Sequence, residues 1–156
     1  MFPIDSLLEE YLAGPQLLAE AVAGMSGDQL TARPVEGRWS TLEVVCHLVD
    51  SDAVHACRMK WVIAECGPPL PNSDETRWIE RLPCHARSAA EEIELLSLQR
   101  RQMARILHAT PPEAFARTGN HSEEGAVTLA TLLERAVRHL PHHLPFIAEK
   151  RAALGV

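Results

Sequence analysis

Apolar residues recur every three or four positions through most of the chain, the period of an amphipathic helix. Leu7, Leu8, Tyr11, Leu12, Leu18 and Val22 trace one such stripe and predict a first helix over residues 5–24, with Asp5 able to cap it. Gly14-Pro15 is expected to kink or interrupt that helix, because proline lacks the N–H and its ring crowds the preceding turn. A second stripe, Leu48, Ala56, Met59 and Ile63, follows Ser40-Thr41-Leu42-Glu43. That tetrapeptide is a capping box, in which the Ser hydroxyl and the Glu carboxylate each satisfy an orphan backbone N–H. Gly67-Pro68-Pro69 ends the segment after about Cys66. Ile93, Leu96, Met103, Ile106 and Leu107 predict a third helix from about Ser88 to Ala109, stopped by Thr110-Pro111-Pro112. Leu129, Leu132, Leu133, Ala136, Val137, Leu140, Leu144 and Ile147 predict the last, from about Thr128 to Leu154.

Three connectors separate these stripes. Residues 24–37 are rich in turn formers and hold at most one short turn at Asp28-Gln29-Leu30. Residues 67–86 carry four prolines and one expected turn around Glu75–Leu82. Residues 111–126 have Gly119-Asn120-His121 as their turn signal. No period-two alternation marks a strand, and no internal repeat is visible. The expected fold is all-α, a four-helix bundle with long connectors, forming a single domain over residues 1–156.

Composition narrows the function classes. At 46% hydrophobic and 4% aromatic, the core must be mainly aliphatic. A net charge of −6 without a long basic run argues against nucleic-acid binding, which needs a basic surface. No run of ~18 apolar residues is present to span a membrane. The start, Met1-Phe2-Pro3-Ile4-Asp5, lacks the basic and apolar regions of a leader, so the expected compartment is the cytoplasm. Cys46, Cys57, Cys66 and Cys84 form no CxxC pair and are expected to be reduced thiols.

The candidate chemistry lies in Arg138-His139-Leu140-Pro141-His142-His143-Leu144-Pro145-Phe146, with three histidines in five positions. His139 and His143 flank the buried stripe, about 40° apart around the helix axis. His142 keeps company with Arg135, Arg138 and Glu149 and is expected to face solvent. An i, i+4 histidine pair can hold one metal ion from a single face, or can be two hydrogen-bonded residues at the core edge. A restart of the helix at Pro141 would rotate the two apart. For a third ligand, His47 is the best candidate because it adjoins a core stripe on a well-capped helix. A satisfied, non-ligating histidine is the plainer alternative there. His55, rotated by about 80°, is a weaker choice, and His85, His108 and His121 fall in or near connectors. Asp50 is a candidate further ligand, or a carboxylate that orients an imidazole.

Trp39-Ser40-Thr41-Leu42-Glu43-Val44-Val45-Cys46-His47-Leu48-Val49-Asp50 resembles the "WS…E…HL.D.E" segment of the DinB/YfiT-like metal-dependent hydrolases. His121-Ser122-Glu123-Glu124-Gly125 with Thr128-Leu129 resembles the loop before that family's last helix. His139-Leu140-Pro141-His142-His143-Leu144 resembles its closing "H..HH" motif. The chain departs from the pattern at Asp52, where Glu is frequent, and at Pro145 and Phe146, where polar residues occur. The resemblance implies a four-helix bundle in which His47, His139 and His143 ligate one divalent metal, usually zinc or nickel.

Three neutral imidazoles leave a tetrahedral ion one position for water. The implied activity is that of a metal-dependent hydrolase, or of a transferase that activates a low-molecular-weight thiol such as bacillithiol or mycothiol. The substrate is then a small molecule, with Asp50 as the nearest candidate base and Arg58 as a candidate contact for an anionic group. The alternative is a non-enzymatic metal- or ligand-binding protein. An apolar stripe left exposed on the bundle would point to a homodimer.

Overall fold

The computed structural model describes residues 4–156. The expectation for the chain start, Met1 to Pro3, lies outside them. Four long helices make the body: α1 (Ile4–Val22), α3 (Thr41–Ala64), α5 (Ala89–His108) and α6 (Leu129–Leu154). Two short helices, α2 (Gly27–Thr31) and α4 (Glu75–Arg81), lie in the first two connectors. Asp5 sits inside the first turn of α1, where its charge suits the helix N-terminus, and is not the residue before it. The capping box at Ser40 and Glu43 forms as expected and sets the phase of α3.

Of the consecutive long helices, only α3 and α5 are neighbours. Both α1 and α3 pack on α5 and on α6, which sets α1 diagonally across from α3 and α5 across from α6. Long connectors permit this arrangement, since a short loop would force consecutive helices side by side.

Three short strands correct the expectation of none. These are β1 (Pro69–Leu70), β2 (Thr118–His121) and β3 (Gly125–Thr128), in the order β1-β2-β3. β1 runs parallel to β2, and β2 pairs antiparallel with β3. Strands of two to four residues are too short for alternation to mark them; β2 and β3 form a local hairpin, and β1 joins it from a distant segment. Gly119 is required here, because a Cβ on it would stand 2.7 Å from Leu70 Cδ1 and 3.0 Å from Val62 Cγ2.

Pro15 does not interrupt α1. Proline at 15 removes the helical donor to the Tyr11 carbonyl, and Arg100 Nη1 from α5 donates to that oxygen instead, at 2.9 Å. Arg100 Nε also donates to Asp52 Oδ1 at 2.8 Å, and Nη2 donates to the Ala136 carbonyl at 3.2 Å. Tyr11 Oη donates to Asp52 Oδ2 at 3.2 Å. This buried layer draws a group from each of the four long helices. It lies between two apolar clusters, one around Met59, Leu107 and Leu133, the other around Val45, Leu96 and Leu140. No described helix is long and apolar enough to cross a membrane.

Candidate metal centre

His47 lies two turns into α3, and His139 and His143 lie one turn apart on α6. α6 is continuous through Pro141 and Pro145, so the helical phase survives. The three imidazoles meet where α3 packs on α6. Their ring centroids are 4.9 Å (His47–His139), 4.8 Å (His47–His143) and 4.7 Å (His139–His143) apart. One nitrogen from each lies within 4.8 Å of the others. His142 is exposed, as its phase requires.

The donors fit a small divalent ion. His47 Nε2 and His139 Nε2 stand 3.1 Å apart. Two imidazole nitrogens at ~2.0–2.1 Å from one tetrahedral ion are ~3.3 Å apart. His143 Nδ1 is buried with no hydrogen-bond partner, an orphan that a nearby cation would satisfy. Burial, followed by the neighbouring imidazoles, pushes His139 down to about 3 and His143 down to about 4. Burial also holds His47 below the ordinary histidine value, against the pull of Glu75 and Asp50. All three are therefore neutral at pH 7, the form that ligates.

Around them, Ser51 Oγ lies 3.4 Å from His47 Nδ1, and the Trp39 ring lies 5.2 Å from the His47 ring. Glu75, at the start of α4, places Oε2 3.6 Å from His47 Nε2, the nitrogen that faces His139. Its side chain is 61% exposed, so this carboxylate reaches the centre from the solvent side. Nothing in the sequence singled out Glu75, because only the packing of α4 against α3 brings it there.

The remaining sequence candidates separate from this cluster. Asp50 lines a small recess with His47, but both its oxygens accept from Arg87, at 2.8 and 2.9 Å. Arg58 is buried, donates through Nη2 to the Pro71 carbonyl, and leaves Nε without a partner. His55 stands behind His139, 5.8 Å between ring centroids, and lies outside the group of three. On the other side of His143 a cavity of about 190 Å³ opens between Trp39, Phe146 and Lys150.

The family model of the DinB superfamily matches residues 10–147. The chain belongs to the DinB superfamily. A relative from Bacillus mycoides, named "Putative metal-dependent hydrolase", is 28% identical over 152 residues, covering 97% of this chain and 87% of the relative. One of the same description from Bacillus cereus strain B4264 is 27% identical over the same span. YfiT from Bacillus subtilis, described as "a probable metal-dependent hydrolase with an unusual four-helix bundle topology", superposes with a TM-score of 0.89 at 26% identity. That alignment covers 97% of this chain and 87% of YfiT. A mycothiol-dependent maleylpyruvate isomerase shares the fold, with a TM-score of 0.72 over 92% of this chain and 60% of the isomerase, at 13% identity.

Proposed function

We propose that this protein is a metal-dependent enzyme acting on a small molecule, either by hydrolysis or by transfer of a low-molecular-weight thiol. The observation that carries the reading is the convergence of three neutral imidazoles, with His47 Nε2 and His139 Nε2 3.1 Å apart and His143 Nδ1 orphaned beside them. Relatives named as metal-dependent hydrolases point the same way. In this reading His47, His139 and His143 hold one divalent ion, zinc or nickel. Such an ion supplies a Lewis acid that makes a water or thiol acidic and polarises a substrate oxygen.

The chain's own groups set how that chemistry runs. Ser51 and the Trp39 ring fix the orientation of His47, and burial keeps all three ligands unprotonated. Glu75 is the carboxylate best placed to take the proton of a nucleophile, since Asp50 is held by Arg87. A carboxylate entering from solvent can bind a proton at the site and release it outward.

Turnover tests the reading. Metal-stripped protein and protein reloaded with zinc or nickel are compared on ester and amide panels and on electrophiles with bacillithiol or mycothiol. Turnover that appears only on reloading, and is lost in His139→Ala, is expected. Full metal loading with no turnover on any panel would favour a structural or sensory ion.

A further inference from the structure

The cavity beside His143 has the wrong charge balance for an idle void. Its lining includes Arg38, Trp39, Val44, His143, Phe146 and Lys150. Lys150 is only 2% exposed, yet among the described residues its ammonium makes no ion pair. Its one hydrogen bond is to the Phe146 carbonyl, at 2.9 Å, out of three that an ammonium can donate. The other cation, Arg38, lies at the rim with its guanidinium carbon 6.0 Å from the Phe146 ring centroid. Burial holds the Lys150 ammonium below the usual lysine range; Glu149 pulls it back up, Arg38 pushes it down by less, and Glu43 adds the smallest pull upward. A buried cation without a paired anion is costly, and no carboxylate among the described residues stands within ion-pair distance of this one.

We propose that this cavity is a subsite for the carboxylate of a small substrate with an apolar body, gripped between Lys150 and Arg38. Trp39, Val44 and Phe146 supply apolar walls for that body, and His143 ends the cavity at the histidine cluster. A molecule anchored by its carboxylate thus presents its other end to His143. This assignment moves anion recognition from Arg58, whose guanidinium is turned to the Pro71 carbonyl, to the opposite side of the site. It rests on the proposed metal-dependent chemistry only in treating the occupant as a substrate.

Calorimetry with benzoate and its neutral analogue benzyl alcohol tests the subsite on the full chain, metal-stripped and zinc-loaded. Benzoate is expected to bind at least about tenfold tighter than benzyl alcohol in both forms. Lys150→Met and Arg38→Gln are each expected to weaken benzoate about tenfold and to leave benzyl alcohol within about twofold. Lys150→Arg, which keeps the charge, should retain most of the benzoate affinity. Equal binding of the two probes, or benzoate affinity unmoved by both charge-removing variants, would overturn the proposal. So would benzoate binding that appears only with zinc and vanishes in His143→Ala, since the carboxylate would then be a metal ligand. If Lys150→Met does not fold, Arg38→Gln on the exposed rim decides alone. The metal-stripped arm keeps this result separate from the metal reading: benzoate binding survives there even if no ion is ever held.

Discussion

Crowding three imidazoles into one partly buried point makes the metal-free protein sensitive to acid. His139 is pushed down to about 3 and His143 down to about 4, whereas an unfolded histidine titrates near ~6.5. Between about pH 6.5 and 4 the unfolded chain therefore binds protons that the folded chain does not, and stability falls as pH drops through that window. Above it the contribution is fully present. The Tm of chelated protein should thus fall between pH 7 and 4.5, and the fall should be smaller in His139→Gln. Parallel curves would show that the cluster does not titrate this way. Glu75 calls for a different readout. With Oε2 3.6 Å from His47 Nε2, Glu75→Gln should retain the metal and lose about a hundredfold in turnover. Unchanged turnover would remove Glu75 from the chemistry.

Helix α1 carries Gly14-Pro15, the strongest breaker in its sequence, yet runs unbroken from Ile4 to Val22. Arg100 resolves this by donating to the carbonyl that Pro15 leaves free. Gly14 is part of the same arrangement, because a Cβ there would stand 2.2 Å from Arg100 Nη1. Gly→Ala in a helix ordinarily stabilises by about 1 kcal/mol. Here Gly14→Ala is expected to lower the Tm, since it displaces a guanidinium that also pairs Asp52. Arg100→Met should cost about 3–5 kcal/mol by leaving Asp52 buried and unpaired. A stabilised Gly14→Ala would contradict this reading of the layer. The capping box at Ser40 and the period of the apolar stripes made α3, α5 and α6 legible from the sequence, and helical phase told His139 and His143 from His142. Pro15 and the short strands were not legible. The partner that rescues Pro15 lies 85 positions away (100 − 15), and β2 pairs with residues brought near only by the folded bundle. Glu75 escaped notice for the same reason, whereas Lys150 lies two turns beyond His143 on the same face of α6, and only its burial, not its phase, was hidden.

The order of helices around the bundle also depends on the whole chain. Nothing in the stripes indicates that α1 faces α3 diagonally, yet that arrangement makes α3 and α6 neighbours and lets His47 meet the α6 pair. An ion held there would tie together two helices separated by the two longest connectors. Binding to the folded state alone raises stability by about 2.7 kcal/mol when free metal is a hundredfold above its Kd. Chelation should therefore lower the Tm of the metal-loaded protein by several degrees, and should leave His143→Ala, which holds no ion, unchanged. Equal chelator effects on both proteins would mean that the ion lies elsewhere.

Metal stoichiometry, by elemental analysis of untagged protein after zinc or nickel supplementation and desalting, puts the histidine cluster itself to the test. Wild-type protein should carry one ion per chain, and His47→Ala, His139→Ala and His143→Ala should each carry almost none while remaining helical by circular dichroism. Substoichiometric metal in the wild type, or full metal in all three variants, would contradict the assignment of a metal centre to His47, His139 and His143.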